Sequence, residues 1–588
     1  METTTSPLDL AAPLNRRYRD ESLAIRVVGA GGDGIVTAGA LLARTAALSG
    51  LEVLSDTTFP SEIRGGLVAS QVRMAPHPLC TEGDGVDVLV AFNADAYLAH
   101  RDVIRDDGIL IYDIYDALSD VVTHSNRIIS YPVPMAEIAQ HSGQAVTRNL
   151  VALAALIELI GLSRSNLEGA VCEHFASKGP DTIAVNLRAL EAGLSYAEQH
   201  LIKRDPVLAP VGASRDQTLL LTGNDAIGLG ALAAGCRLYS SYPITPATSL
   251  GTWLARHLPL VGGRVHEAED PIASLGVAIG ASFAGTKAMT GTSGPGLDLM
   301  QEMIGFSAMA EVPVVVAVVQ RGGPSAGLPT KHEQADLLSA VFGSHGDVPK
   351  IVLAAADVRD CFSLTVEAFN LAERYQTPVL LLTDASLARR MQTIPRPDLT
   401  SIPLIERDAA HTADAPYHRY AATDDGIAPM ALPGSEGGAY VATGLEHDDT
   451  GRPTDAGDVH KVMMARRFAK LRGAEFEMVE REGPESTPVG LVSWGITQGA
   501  VREAVARFER LGMPIAALYP KMLWPPPVNA LSRFAESVEQ IVVVEANHQG
   551  HLAHLIGATT PIRPKRLTLT RGEPISVWDI FGKEDLTR

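Results

Sequence analysis

Three regions of this 588-residue chain pass repeatedly from a short apolar run, through a glycine- or proline-marked turn, into a helical pattern. That alternation constrains the fold more than any other feature, because strands alternating with helices form parallel sheets covered by helices. The first region opens AIRVVGAGGDGIVTAGALLARTAALSG, where an apolar run meets a Gly-rich turn and then a helix with small residues on its inner face. Strands follow at VDVLVAF and GILIYD, with a helix over Asn149–Gly161. The second region runs from LLLTGNDAIGLGALAAG through VPVVVAVVQ, KIVLAA, an amphipathic helix at Val358–Tyr375, and TPVLLLTD. The third begins PVGLVSWG, continues with a helix at Thr497–Leu511 and PIAALYP, and ends on QIVVVEAN.

These patterns predict a leader at 1–22, a first α/β domain at 23–199, a linker at 200–216 and a second α/β domain at 217–385. Residues 386–485 are Pro-rich, charged and weakly periodic, which reads as an extended excursion over the surface. A final α/β domain occupies 486–588. Composition excludes several functions. The formal charge of −19 opposes a nucleic-acid or anionic-membrane partner, since phosphate binding needs clustered Lys and Arg. The leader lacks a signal-peptide core and the apolar runs are too short to span a bilayer, so a cytoplasmic protein is expected. Cys80, Cys172, Cys236 and Cys361 stand apart with no CxxC spacing, so they read as buried apolar thiols and any iron–sulfur cluster belongs to another polypeptide.

Two glycine-rich turns are candidates for close approach to a ligand. In GAGGDG, Gly29, Gly31 and Gly34 formally match G-x-G-x-x-G, and Asp56 follows at a distance suited to a ribose. The rival reading is a tight turn with close helix–strand packing. The neighbouring Ser61–Gly66 stretch offers an Arg and open backbone to an anion, or is simply a charged loop. The sharper candidate is SYPITPATSL. Its prolines stiffen an extended turn before a helix, so Thr245 presents a hydroxyl from a rigid loop. Downstream, Val265–Glu269 reads as a strand ending in acids, Asp270-Pro271 as a helix start, and the next helix is lined with Ala, Gly and Ser. A strand and then GTSGPG, Gly291–Gly296, complete the group. His447, Asp448, Asp449, Asp455, Asp458 and His460 crowd one loop, but their spacing fits no standard metal site and reads as hydrogen-bonded turn acids. No metal ligand set is assigned to this chain.

TSGPGL after an Ala/Gly-rich helix, with a strand-end Glu before it, resembles the pyrimidine-binding domain of thiamine diphosphate enzymes. YPITP and QRGGPSAGLPT, at Gln320–Thr330, narrow the resemblance to the α subunit of 2-oxoacid:ferredoxin oxidoreductases. RVVGAGGDGIVTAG with Ile63–Gly66 resembles that family's γ domain, here fused in front. GLEHDDTGRPTDAGDVHKVMMARRFAKL resembles the 2-oxoglutarate-type chain, and VVVEANHQG a transketolase-type C-terminal domain. The resemblance covers nearly the whole sequence.

It implies a glutamate that hydrogen-bonds N1′ of the cofactor's aminopyrimidine and so promotes loss of the thiazolium C2 proton. Glu269 is the candidate. Relatives commonly carry Glu-x-Glu, and counting back from IGAS puts the second Glu at Pro271 here, so Glu267 or a realigned loop stays open. The same carry-over places cofactor contacts at Tyr242, Pro243, Ile244, Thr292, Ser293 and Gly294. Arg321 matches the arginine for the substrate's 1-carboxylate, Thr245 its hydroxyl partner, Thr330 a second threonine, and Lys331 a partner for a distal carboxylate. Gly32-Asp33-Gly34 and Gly83-Asp84-Gly85 read GDG, but neither is followed by the Asn that a diphosphate–Mg2+ site needs at its usual spacing. The diphosphate half, Mg2+ and a [4Fe-4S] cluster are therefore expected on a β subunit, in an (αβ)2 assembly that uses coenzyme A and ferredoxin. The rivals are the same reaction on pyruvate or another 2-oxoacid, a non-redox thiamine decarboxylase or transketolase-like subunit, and a non-catalytic module whose γ domain senses coenzyme A or an adenylate.

Overall fold

The computed structural model describes residues 21–59, 66–115, 128–212, 217–410, 417–472 and 477–581. Ser61–Gly65, most of the leader and the end of the linker lie outside the described residues. The chain is α/β throughout, with three sheets divided between two compact units. One unit holds the chain up to Leu221 with Arg389–Arg396 and the C-terminal end from Ser576; the other holds Thr222–Ala388 and Pro397–Ile575.

In the first unit, β1 (Leu23–Ala30) lies between β3 (Leu67–Ala75), antiparallel, and β4 (Val86–Ala91), parallel. Being covered on both faces, β1 needs the near-continuous apolar run that its sequence shows. β5 (Ile104–Asp113) and β6 (Ile129–Val133) extend the parallel side. β2 (Glu52–Thr58), β14 (Met391–Pro395) and β7 (Thr218–Thr222) complete an eight-stranded sheet in the order β6-β5-β4-β1-β3-β2-β14-β7. The helix Ile35–Leu48 presses small residues onto the sheet, and a methyl added at Gly39 would meet Ser70 Oγ at 1.9 Å. Arg148–Ile160 is buried for almost its whole length, which explains its uninterrupted Leu, Ala and Ile run.

The dinucleotide alternative fails on this geometry. The turn before the Ile35–Leu48 helix is filled by the chain's own groups. Asp33 accepts the Ala30 N–H at 2.8 Å and pairs with Arg148 at 2.6 Å. Asn149 donates to the Gly34 carbonyl at 3.2 Å, so close that a methyl on Gly34 would strike its amide. A carboxylate at this helix N-terminus repels a pyrophosphate rather than cradling it. Asp56 sits on β2, separated from β1 by the antiparallel β3, so the mononucleotide-binding βαβ unit is absent.

In the second unit, β8 (Leu238–Ser241), β9 (Arg264–Glu267), β10 (Ala288–Thr292), β11 (Val314–Gln320), β12 (Ile351–Ala354) and β13 (Pro378–Asp384) are parallel. β18 (Met522–Trp524) adds antiparallel to β12, giving the order β18-β12-β13-β11-β10-β8-β9. The third sheet, from β15 (Val479–Glu482), β16 (Thr487–Ser493), β17 (Ala516–Pro520), β19 (Val538–Glu545) and β20 (Lys565–Thr568), has the order β15-β17-β16-β19-β20. One hydrophobic core joins these two sheets, with Val316 and Leu380 in the same cluster as Trp494, Leu518 and Phe534.

The reading of 386–485 as a surface excursion needs correction. Arg419, Tyr420, Met430 and His447 within it are buried, and Gly457–Ala469 is a helix. Glu311, at the left-handed end of the helix Gly294–Ala310, anchors the segment through ion pairs with Arg466 and Lys470, while Arg419 Nη2 donates to its carbonyl at 2.8 Å. The cysteine reading is corrected too: Cys236 and Cys361 are buried, but Cys172 is exposed and Cys80 half-buried. Among the described residues no helix is long and apolar enough to cross a membrane, and no three His, Cys, Asp or Glu side chains gather as a metal site.

Candidate functional site

In the second unit the parallel strands all end along one edge of the sheet. There the chain reverses direction: from β8 it steps outward to β9, then to β10 on the other side. The crevice outside the carboxyl ends at such a switch point is where open α/β sheets bind ligands. The candidate residues follow these strand ends: Tyr242–Thr245 after β8, Glu269 after β9, Ser293 and Gly294 after β10, and Arg321 after β11, while Thr292 ends β10 itself.

Sterics shape this edge. A methyl on Gly291 would meet Tyr239 Oη at 2.5 Å, and one on Gly296 would meet Thr292 Oγ1 at 2.1 Å, so the turn tolerates no side chain at either position. Ser293 is the N-cap of the Gly294–Ala310 helix in extended conformation, yet its hydroxyl makes no capping bond. Its Oγ is buried with no hydrogen-bond partner, as is Arg321 Nε, and Ser293 and Arg321 are 0% and 8% exposed. Buried polar atoms are rarely left unpaired, and each such exception needs an explanation.

Arg321 is fixed from two sides: Nη1 donates to the Thr245 carbonyl at 2.6 Å and Nη2 to the Ala326 carbonyl at 3.2 Å. The loop after it folds back on itself, with Leu328 N donating to Gly322 O at 2.8 Å and Gly322 N to Lys331 O at 3.2 Å. This brings Thr330 and Lys331 back to Gly322, the residue next to Arg321. Thr330 and Lys331 are half-buried; Lys331 lies against Gly572. Tyr242 and Pro243 are exposed, Ile244 is half-buried and the Thr245 side chain is exposed. Glu267 and Glu269 are both exposed; β9 stops at Glu267, so Glu269 sits in the turn and not on the strand expected to carry it. Asp270 caps the following helix by accepting from Ala273 N at 2.8 Å, and that helix buries Ser274, Leu275 and Ala278 while Ile272, Ala273 and Val277 stay exposed.

The sequence pattern covers nearly the whole chain in known proteins. Residues 229–466 match the family model described as "Pyruvate flavodoxin/ferredoxin oxidoreductase, thiamine diP-bdg". Residues 24–196 match "Pyruvate ferredoxin/flavodoxin oxidoreductase" and 488–568 match "Pyruvate:ferredoxin oxidoreductase core domain II". A 2-oxoglutarate oxidoreductase subunit KorA of Mycobacterium tuberculosis is 31% identical across 95% of this chain and 90% of its own length. The α subunit of a 2-oxoacid:ferredoxin oxidoreductase of Aeropyrum pernix is 30% identical across 95% and 97%. The chain belongs to the 2-oxoacid:ferredoxin oxidoreductase α subunits. A solved 2-oxoglutarate:ferredoxin oxidoreductase from Magnetococcus marinus, with 2-oxoglutarate, coenzyme A and succinyl-CoA bound, shares the fold at a TM-score of 0.92. It is 42% identical, over 97% of this chain and all of that one.

For a 2-oxoacid:ferredoxin oxidoreductase α subunit, the strand-end crevice fits the aminopyrimidine half of thiamine diphosphate. It offers the unpartnered Ser293 hydroxyl and a solvent-facing carboxylate at Glu269. The GDG tripeptides do not fit the diphosphate half: one is filled by Asp33 and Asn149, and the other packs against Arg73 and Arg105. Three acids of the 446–460 loop are likewise engaged. Glu446 holds Arg467 and His460, Asp448 accepts from Thr450 and Arg452, and Asp449 pairs with His418.

Sequence reading missed the stretch just past Thr330. His332 is buried and pairs with Asp384 at 2.9 Å. Gln334 bonds to Trp494 O at 2.7 Å and accepts from Ala546 N at 2.8 Å, clasping the third sheet. Asp336 lies against Gly294 and accepts no hydrogen bond at Oδ2. HEQAD reads as an ordinary polar loop, and nothing in the sequence marks it out.

Proposed function

We propose that the chain is the α subunit of a thiamine diphosphate-dependent 2-oxoglutarate:ferredoxin oxidoreductase, which converts 2-oxoglutarate and coenzyme A to succinyl-CoA and CO2 while passing two electrons to oxidised ferredoxin, reversibly. The observation that carries this reading is the placement of Arg321, pinned by the Thr245 carbonyl among the carboxyl ends of β8, β10 and β11. A buried planar guanidinium with a free N–H suits the two-pronged recognition of a carboxylate.

When bound, thiamine diphosphate supplies the electron sink on which a 2-oxoacid loses CO2. This chain's residues then have separate tasks. Glu269 holds or releases a proton at N1′ of the aminopyrimidine, from a solvent-facing turn that lets the proton exchange. Tyr242, Pro243, Ile244, Thr292, Ser293 and Gly294 form the wall against the ring. Arg321 orients the 1-carboxylate, Thr245 and Thr330 meet the oxo and carboxylate oxygens, and Lys331 meets the distal carboxylate that distinguishes 2-oxoglutarate from pyruvate. The division into γ, pyrimidine-binding and C-terminal domains at 23–199, 217–385 and 486–588 is part of this reading. So are a cytoplasmic location, a β subunit carrying Mg2+, the diphosphate site and a [4Fe-4S] cluster, an (αβ)2 assembly, and ferredoxin as acceptor.

The test is an assay of the complex co-expressed with its β subunit, using a panel of 2-oxoacids, coenzyme A and a one-electron acceptor. The reading expects the highest kcat/KM with 2-oxoglutarate. Preference for pyruvate would move the chain to the pyruvate type, and turnover without acceptor or coenzyme A would identify a non-redox decarboxylase.

A further inference from the structure

Asp336 is tied to the candidate site on two sides. Its backbone N–H donates to Gln320 Oε1 at 3.0 Å, and Gln320 is the residue before Arg321. Its carboxyl rests on the Gly294 turn, where an added methyl would sit 2.8 Å from Oδ1. Oδ2 is buried without a partner. The charges facing it are unbalanced. Asp298 comes from the Gly294–Ala310 helix, Glu333 from its own segment, and Arg321 from the end of β11. Lys331 points elsewhere, against Gly572, and His332 is committed to Asp384. The helix His551–Thr559, near Leu337–Phe342, brings His551 and His554, and His548 faces Glu333. Asp336 thus faces two further carboxylates and a single guanidinium.

We propose that Asp336 is a positioning residue that takes up a proton when the carboxylate of a 2-oxoacid engages Arg321. An incoming anion claims the one cation that favours ionised Asp336 and adds a further negative charge beside Asp298 and Glu333. Protonation restores the balance, and a protonated Asp336 gains a donor for its unpartnered oxygen. Loss of the substrate's carboxylate as neutral CO2 reverses the change. Burial, then Asp298 and Glu333, already push Asp336 up to about 7, with only Arg321 opposing, so the proton moves within the working pH range.

The proposal rests on the reading of Arg321 as the carboxylate site. The experiment is calorimetry of N-oxalylglycine, a 2-oxoglutarate mimic that keeps its carboxylate, binding to the αβ holo-complex in buffers of different ionisation heat. At pH 7.5, where a group titrating at about 7 is already partly protonated, the expected uptake is roughly half to three-quarters of a proton per site, with affinity weakening about fivefold or more between pH 6.5 and 8.5. Asp336→Asn should abolish the uptake and flatten the pH profile; Asp336→Ser serves where the Asn variant does not assemble. Wild-type uptake near zero, or uptake undiminished in the Asp336 variant, overturns the proposal. Arg321→Ala separates the two ideas. Binding unaffected by it defeats the reading of the site, whereas binding lost by it without wild-type proton uptake defeats only the role of Asp336.

Discussion

Glu311 and Asp336 stand at opposite ends of one stretch of chain and have opposite fates. Burial raises both carboxyls. At Glu311, Lys470, Arg466 and Arg419 override that and bring it down to about 2; at Asp336, two further acids reinforce it and bring it up to about 7. The first group is a clasp. It stays ionised at any working pH and ties 419–470 to the end of the Gly294–Ala310 helix. The second keeps a proton within reach, beside a turn and an arginine that have unpartnered polar atoms. Desolvation alone therefore does not separate scaffold from site; the sign of the neighbours does.

The comparison can be broken at several points. Glu311→Gln leaves Arg466 and Lys470 buried without their counter-charge, and should destabilise the unit by about 3–5 kcal/mol in denaturant unfolding. The pH dependence should follow. Because folding depresses the Glu311 carboxyl from 4.5 to about 2, its contribution is complete above pH 4.5 and is lost as pH falls towards 2, amounting to about 3 kcal/mol. That acid limb should vanish in the Gln variant. Arg321→Ala should raise KM for 2-oxoglutarate about a hundredfold, the effect of losing one or two charged hydrogen bonds at ~1.5–3 kcal/mol each, while thiamine diphosphate binding persists; normal kinetics would remove Arg321 from the site. The smallest effect has the opposite sign. Asp336 is raised in the fold, so its ionisation erodes stability as pH climbs from 3.8 towards 7. Asp336→Asn should therefore gain about 1–2 kcal/mol relative to wild type at pH 8 compared with pH 4, the residue's partial exposure reducing the full linkage value.

What could be read from the sequence was local. Alternating apolar runs and turns placed the central strands of all three sheets but missed edge or short strands such as Ile129–Val133, Met522–Trp524 and Lys565–Thr568, and the helix expected at Val358–Tyr375 has those bounds. The helix expected at Asn149–Gly161 is displaced by one residue, a difference within fraying. The rigid YPITP turn and the TSGPG turn stood out because proline and glycine act through the backbone, whatever their partners. Charged residues act through neighbours distant in sequence, and these were misjudged. Arg419, Arg466 and Lys470 look like solvated cations until Glu311, over a hundred residues earlier, is brought to them. Asp336 looks like a loop acid until Gly294 lies beneath it. The G-x-G-x-x-G match failed for the same reason: Asn149 fills the turn from a different helix.

The account depends most on Glu269. Deuterium exchange at C2 of thiamine diphosphate bound to the αβ complex, compared between wild type and Glu269→Gln, tests it directly. Exchange slowed roughly a hundredfold or more in the variant, with the cofactor still bound, is the predicted result. Exchange at the wild-type rate would contradict it, and would place the acid that activates the ring somewhere other than the turn after β9.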